Sequence, residues 1–196
     1  MRAINTVVER DIQEIISDSQ IFDAFRGKLI LVTGATGLIG SMVARSLIAA
    51  NDAYHLSLRV ICHVRNIEKA HHMFSDIVDS DILTFVDTPL ESLDIACDYI
   101  MHGAGPTKSK YFVEHPVDTI RTSIHGTERM LELGKEQKIK GMVYLSSMEQ
   151  YGVPYESGQV MTEDRIGYLD HLNVRSSYSE SKRLCECYCK SYAVEF

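Results

Sequence analysis

The sequence predicts an α/β fold in which a doubly wound parallel sheet is covered by helices on both faces. Short apolar runs alternate with segments of helical periodicity through residues 28–196, which is the pattern of βαβ units. A glycine-rich turn lies directly between the first apolar run and the first helix of this series. The chain contains no internal repeat and no low-complexity segment, which argues against a solenoid or an array.

The predicted elements follow one another in regular order. Strands are predicted at Leu29–Val32, Leu58–Val64, Ile82–Val86, Tyr99–His102 and Met142–Ser146. Helices are predicted at Ser41–Ala50, Ile67–Val78, Thr119–Gln137 and Ser177–Phe196. Residues 1–26 contain Val8, Ile12 and Ile15 at helical spacing. We therefore expect an N-terminal helical extension at residues 1–26 and one α/β domain at residues 27–196.

Composition and charge exclude several classes of function. The 196 residues carry 20 Lys and Arg against 27 Asp and Glu, which gives a net charge of −7. A mildly acidic chain without a basic block offers no footprint for nucleic acid or for an anionic membrane surface. No apolar run approaches the ~20 residues of a membrane span, and the N-terminus does not resemble a signal peptide. We expect a soluble cytoplasmic protein.

The five cysteines are expected to be reduced thiols, because the chain carries no export signal. Cys185, Cys187 and Cys189 alternate around the predicted last helix, so their sulfur atoms cannot converge on one ion. We therefore expect no metal site.

The glycine turn predicts a dinucleotide-binding site. Gly34, Gly37 and Gly40 stand in a GxxGxxG pattern that follows a strand and opens a helix. Such glycines allow a tight turn, close approach of a pyrophosphate and close packing of the helix, whose N-terminus supplies N–H donors. The cofactor-binding candidates in this turn are Gly34, Thr36, Gly37, Leu38, Ile39 and Gly40. With this turn, the predicted sheet is of the Rossmann type.

The choice between NAD and NADP stays open at this point. The second strand is followed by Arg65, where an acidic residue ordinarily holds the ribose of NAD. An arginine at this place can pair with the 2′-phosphate of NADP, or it can be a solvated surface residue. Asp87, after the third strand, could accept a hydrogen bond from the adenine amino group or cap a turn. Ala104 and Gly105, after the fourth strand, complete the cofactor-binding candidates.

A tyrosine and a lysine form the candidate catalytic pair. Tyr178 and Lys182 are four residues apart and so lie on one face of the predicted last helix. An ammonium beside a phenol favours the phenolate, which makes tyrosine a usable general base. A serine hydroxyl at the end of the fifth strand, within Leu145-Ser146-Ser147, could bond to the same substrate oxygen.

The chain contains a glycine turn, a strand-end serine and a YxxxK motif in this order. In this it is similar to the extended short-chain dehydrogenase/reductases, and within them to the NAD-dependent epimerase/dehydratase family. The closest resemblance is to UDP-glucuronate decarboxylases. Three segments carry it: Arg175-Ser176-Ser177-Tyr178-Ser179-Glu180-Ser181-Lys182-Arg183, Ser147-Met148-Glu149-Gln150-Tyr151-Gly152, and His102-Gly103-Ala104-Gly105-Pro106 with His115-Pro116 and Gly126-Thr127. In contrast to the family pattern, Ser123 replaces an asparagine, and the acidic residue after the second strand is absent.

The resemblance implies roles for these residues. Ser147 would be the catalytic hydroxyl, Glu149 an additional catalytic carboxylate, and Tyr178 and Lys182 the base and its partner, which also contact the cofactor. It further implies oxidation of a sugar 4-hydroxyl by bound NAD, followed by decarboxylation, dehydration or epimerisation of a nucleotide sugar. Family members form homodimers through the two helices that correspond to residues 119–137 and 177–196.

Two alternatives to this function remain. One is an NADP-dependent carbonyl reductase of the same fold, which Arg65 favours. The other is a catalytically inactive cofactor-binding fragment. It is suggested by the five predicted strands, where such a sheet ordinarily has six. We therefore expect the Rossmann-type sheet to be incomplete at its C-terminus. The resemblance further implies that the substrate domain, which follows the sheet in family members, is missing.

Overall fold

The computed structural model describes residues 6–77, 81–158 and 160–196. The first five residues of the predicted N-terminal extension, and Val78 at the end of the second predicted helix, lie outside the described residues. The strands are β1 (Leu29–Thr33), β2 (Arg59–His63), β3 (Leu83–Val86), β4 (Tyr99–His102) and β5 (Gly141–Tyr144). The α-helices are α1 (Thr6–Ile15), α2 (Leu38–Tyr54), α3 (Ile67–Met73), α4 (Ser109–Glu114), α5 (Pro116–Gln137) and α6 (Ser176–Glu195).

The five strands form one sheet in the order β3-β2-β1-β4-β5. The pairs β1–β2, β2–β3 and β1–β4 are parallel, so the prediction of a parallel α/β sheet is confirmed. The chain runs outward from β1 to β3 and then returns to place β4 on the other side of β1. This reversal is the place where ligands bind in open α/β sheets, beyond the carboxyl ends of the strands.

The helix bounds differ from the prediction in instructive ways. Helix α2 begins at Leu38 rather than Ser41, because Gly37 in extended conformation serves as its N-cap. The six-residue helix α4 has no predicted counterpart, since so short a segment carries too little periodicity. Three 3₁₀ turns, at Ser19–Phe25, Leu90–Ser92 and Met148–Tyr151, were missed for the same reason.

The chain divides into two compact units. The first comprises residues 1–104 and 133–143, and the second residues 105–132 and 144–196. The predicted boundary between an N-terminal extension and the α/β domain therefore stays a prediction. Within the described ranges, no helix combines the length and apolar character that crossing a membrane requires.

The core of the first unit is built from the central strands. Leu31 and Val32 of β1, and Val60 and Cys62 of β2, are fully buried. Arg45 links α2 to the segment after α3, because its guanidinium donates to both carboxylate oxygens of Asp76 at 2.6 and 2.9 Å.

In the second unit, α4 and α5 contact α6. Phe112 of α4 and Met130 of α5 are buried. The thiol of Cys185 donates to the Ser123 carbonyl at 3.4 Å, and the Tyr188 hydroxyl donates to Glu128 at 2.9 Å. These contacts fix the helix that carries the predicted Tyr178 and Lys182 pair.

Candidate cofactor and catalytic sites

The turn between β1 and α2 leaves no room for a side chain at two of its glycines. Gly34 has a φ of +70°, and a Cβ there would lie 2.7 Å from the Gly103 carbonyl group. A Cβ at Gly40 would lie 2.4 Å from the Gly34 oxygen. Both distances are far inside van der Waals contact, so the turn can be this tight only with glycine at both positions.

The N-terminus of α2 is suited to a phosphate group. Its N-cap, Gly37, provides no side-chain hydrogen bond to the first turn. Leu38 and Ile39, which follow, are exposed. The N–H groups of this turn therefore keep their donor capacity at the positive end of the helix dipole. A glycine cradle with free helix donors fits the pyrophosphate of a dinucleotide.

Thr33 and His102 connect the ends of β1 and β4. The Thr33 hydroxyl lies 2.7 Å from Nδ1 of His102 and accepts hydrogen bonds from the N–H groups of Gly103 and Ala104, at 3.2 and 3.1 Å. Because both acceptor positions of the oxygen are used, its hydrogen points to Nδ1, and His102 carries its proton on Nε2. This network fixes the β4 turn as far as Ala104, beside the glycine turn. Gly105 begins the second unit, and a Cβ there would meet open space.

The candidates for the adenosine end of a dinucleotide follow β2 and β3. Arg65 and Asp87 are both exposed, and the structure gives Arg65 no hydrogen bond or ion pair with any described residue. His63, which precedes them on β2, donates from Nε2 to the Thr88 carbonyl at 2.8 Å, and burial lowers its pKa. The positions of Arg65 and Asp87 are compatible with either NAD or NADP.

In the second unit, Ser147 and Glu149 lie on the 3₁₀ turn that follows β5. The Ser147 hydroxyl accepts from the Glu149 N–H at 3.2 Å. The two Glu149 carboxylate oxygens accept from Arg175, at 2.7 Å, and from the Ser179 hydroxyl, at 3.2 Å. Two donors therefore hold the carboxylate. Ser179 lies on α6, the helix that carries Tyr178, and Arg175 directly precedes this helix.

Tyr178 is packed on one side of its ring and free at its hydroxyl. Its ring stacks on Phe112 with centroids 4.2 Å apart and an interplanar angle of 4°. The Arg175 guanidinium lies 4.9 Å from the centroid of the same Phe112 ring. Among the described residues, none makes a hydrogen bond to the Tyr178 hydroxyl. A half-buried phenol with its oxygen available is suited to exchange a proton with a ligand.

Lys182 lies one turn further along α6 and is almost fully buried. Its ammonium donates to the Leu145 carbonyl at 2.7 Å and lies 5.8 Å from the centroid of the Tyr178 ring. Burial lowers the pKa of Lys182. The structure thus places a buried cation next to the candidate base, although its hydrogen bond goes to the backbone.

Three contributors to this arrangement were missed by the sequence analysis. The sequence indicates Arg175 and Ser179 only as parts of a motif, without a role, and gives no indication of Phe112. Their roles depend on contacts between segments 26 to 66 residues apart, which no local pattern encodes. Among the described residues, no group of three His, Cys, Asp or Glu side chains is placed to hold a metal ion.

The profile of the NAD dependent epimerase/dehydratase family matches residues 30–196. The chain belongs to this family, whose members use NAD, so the predicted family and its cofactor class are confirmed. The chain is similar to UDP-glucuronic acid decarboxylase 1 of Danio rerio, with 29% identity over 170 residues covering 84% of this chain and 38% of the relative. It is also similar to UDP-glucuronic acid decarboxylase 6 of Arabidopsis thaliana, with 32% identity over 161 residues covering 80% and 44%. The chain therefore spans less than half the length of these relatives.

Solved structures share the fold. The UDP-glucuronic acid 4-epimerase of Bacillus cereus, in complex with UDP-glucuronic acid and NAD, matches with a TM-score of 0.69 and 22% identity, covering 86% of this chain and 53% of that one. The UDP-N-acetylglucosamine 4-epimerase of Methanobrevibacter ruminantium M1 matches with a TM-score of 0.68 and 22% identity, covering 86% and 51%. At this identity the likeness establishes the Rossmann-like fold alone.

Proposed function

We propose that this chain binds NAD at the glycine turn and oxidises the 4-hydroxyl of a nucleotide sugar, with Tyr178 as the general base. The observation that carries the proposal is the pair on α6: an available Tyr178 hydroxyl and, one turn away, the buried ammonium of Lys182. Family membership and the similarity to UDP-glucuronic acid decarboxylases support it, and UDP-glucuronic acid is the substrate to test first.

The residues of the first unit would hold the cofactor. NAD, when bound, supplies a hydride acceptor for the carbon that carries the hydroxyl. Gly34, Gly37 and Gly40, with the N–H groups of Leu38 and Ile39, would receive the pyrophosphate. Thr36, Arg65, Asp87 and Ala104 would line the rest of the cofactor. The tight turn at Gly34 and the N-terminus of α2, whose cap Gly37 makes no side-chain hydrogen bond, support this assignment.

Tyr178 and Lys182 would manage the proton of the sugar hydroxyl. Tyr178 would react as the phenolate, which the neighbouring Lys182 ammonium stabilises, and would become a phenol when it accepts this proton as the carbon is oxidised. The Ser147 hydroxyl already accepts a hydrogen bond from the Glu149 N–H, so its own hydrogen can be donated to the substrate oxygen. One group thus removes the proton while another orients the oxygen.

Glu149 would act after the oxidation. A keto group at C4 stabilises negative charge at the neighbouring carbon, which permits loss of a carboxylate as carbon dioxide or removal of a proton. Arg175 and Ser179 hold the Glu149 side chain in place by donating hydrogen bonds to both of its carboxylate oxygens. We propose decarboxylation as the first of these outcomes to test, since the relatives named above are decarboxylases.

The test is native mass spectrometry of the purified chain, followed by denaturation to identify any released nucleotide. Retained or added NAD, bound at one per chain, would support the proposal. Gly37→Val should abolish this binding, because its side chain would meet both the Gly34 oxygen and the pyrophosphate. A wild-type chain that neither retains nor binds NAD would refute the proposal. Binding without turnover of UDP-glucuronic acid would favour the inactive cofactor-binding alternative.

One observation favours a second candidate, an NADP-dependent carbonyl reductase. Arg65 is exposed at the end of β2, makes no ion pair with a described residue, and takes the place of a ribose-binding acid. Release of NADP rather than NAD in the same experiment would favour the reductase. An Arg65→Ala variant that loses affinity for NADP but not for NAD would assign the 2′-phosphate to Arg65.

A further inference from the structure

We infer that Tyr144 is a positioning residue for Lys182, and that the face of its ring stabilises the buried ammonium beside the proposed general base. The inference rests on the proposed function for its catalytic meaning, but the contact itself can be tested without cofactor or substrate. Tyr144 is the last residue of β5 and lies outside the three segments that carry the family resemblance.

The Lys182 ammonium is poorly solvated. Only 7% of this residue is exposed, and the structure gives its three ammonium hydrogens one hydrogen bond, to the Leu145 carbonyl. A buried cation requires compensation for its lost hydration. The face of an aromatic ring provides it through the negative charge of its quadrupole.

The Lys182 ammonium lies closer to the Tyr144 ring than to the Tyr178 ring. The ammonium lies 4.6 Å from the centroid of the Tyr144 ring, well within cation–π range, and 5.8 Å from that of Tyr178. The Tyr178 ring is also engaged by Phe112, at 4.2 Å. Tyr144 is therefore the nearer ring. Since Leu145 supplies the carbonyl, two consecutive residues at the end of β5 hold the cation.

Titratable groups on α6 and at the end of β5 surround Lys182. On α6 itself the titratable neighbours of Lys182 are Cys185, Glu186 and Cys189; the Glu186 carboxylate favours the charged form of Lys182 and is hydrogen-bonded to the Ser146 hydroxyl. At the end of β5, Tyr144 faces it as a neutral phenol, because burial raises the pKa of Tyr144 far above its usual range. Tyr144 thus acts through its ring rather than through a charge, and substitutions that change only the ring can isolate its effect.

The experiment is NMR of the full chain with ¹⁵N-labelled lysine, in which the Nζ shift reports protonation and Lys182→Arg identifies the resonance. In Tyr144→Leu we expect the ratio of neutral to charged Lys182 at a fixed alkaline pH to rise about five-fold, from the usual size of a cation–π contact. The matched control, Tyr144→Phe, keeps the ring and should stay within about two-fold of the wild type. An unchanged ratio in Tyr144→Leu, or equal changes in both variants, would overturn the inference.

A second series covers the case in which Tyr144→Leu does not fold. Phenylalanine with one, two or three ring fluorines at position 144 changes the quadrupole with little change in shape. We expect the neutral fraction of Lys182 to rise with each fluorine, and a flat series would contradict the inference. Neither result depends on NAD binding, so failure of the proposed function is measured separately.

Discussion

Gly27 and Gly34 share a left-handed backbone but differ in their surroundings. Their φ angles are +66° and +70°. A Cβ at Gly27 would meet no atom within 4 Å, whereas one at Gly34 would approach the backbone of Gly103 to 2.7 Å. Comparing the two glycines therefore separates the free-energy cost of left-handed backbone from the cost of steric overlap at the candidate cofactor site.

We expect Gly34→Ala to cost more free energy of unfolding than Gly27→Ala. Both substitutions place alanine in left-handed backbone, at about 1 kcal/mol. Only Gly34→Ala adds overpacking, of roughly 1–3 kcal/mol. Urea unfolding measures the difference, and equal costs would mean that the Gly34–Gly103 approach is not close in solution.

For Tyr178→Phe we expect turnover to fall by about 10²–10⁴-fold, because the variant lacks the group that accepts the substrate proton. Stacking on Phe112 needs only the ring, so folding and NAD affinity should change by no more than a few-fold. Steady-state rates with UDP-glucuronic acid measure the loss of turnover, and titration with NAD measures the affinity. Retained activity would remove Tyr178 from the proposed chemistry.

At the scale of elements, one ion pair links α2, which precedes β2 in the chain, to the segment just after α3. Arg45 of α2 and Asp76, just after α3, are only 12% and 14% exposed in their side chains. The Arg45 guanidinium also donates to the Met73 carbonyl at 2.6 Å and lies 5.0 Å from the Phe74 ring centroid. Its hydrogen bonds lower the pKa of Asp76.

We expect Asp76→Asn to lower the free energy of unfolding by roughly 2–4 kcal/mol at pH 7, since Arg45 loses its charged partner. Because the folded state lowers the pKa of Asp76, the stabilisation is complete above the unfolded value of about 3.9 and is lost as pH falls through the folded value. Urea unfolding of both proteins from pH 7 to pH 2 should therefore show their stabilities converging only in acid. The exposed control Asp52→Asn should change little, and a pH-independent difference for Asp76→Asn would contradict this account.

At the scale of the whole molecule, we propose that α5 and α6 form a homodimer interface, as the family resemblance implies. The two helices contact each other through Cys185 and Tyr188. Ile120 of α5 and Leu184 of α6 nevertheless remain exposed. Apolar residues left uncovered on adjoining helices suit a symmetric contact with a second copy.

Sedimentation of the purified chain is expected to give the mass of a dimer. Ile120→Asp and Leu184→Asp should shift it to the monomer, since each would place an uncompensated charge in an apolar contact. Ile21→Asp, at an exposed site on the 3₁₀ turn at Ser19–Phe25, is the matched control. A monomeric wild type would refute the interface.

Much of the fold could be predicted from the sequence because its signals are local. The apolar runs at Leu29–Val32 and Tyr99–His102 are strands, and the glycine spacing from Gly34 to Gly40 forms the tight turn that it predicts. The four-residue spacing of Tyr178 and Lys182 put both on one helix, α6. Strand ends were less predictable: β5 ends at Tyr144, two residues before the predicted Ser146.

By itself, the sequence determined the α/β class, the order of strands and helices, and the family, since periodicity and motif spacing are properties of neighbouring residues. Only the tertiary structure decided the partners of the site residues. Arg175 reaches Glu149 across 26 positions, Lys182 reaches Leu145 across 37, and Thr33 reaches His102 across 69. Such pairs form because the sheet and its helices bring distant segments together in burial, where each polar group must find a partner.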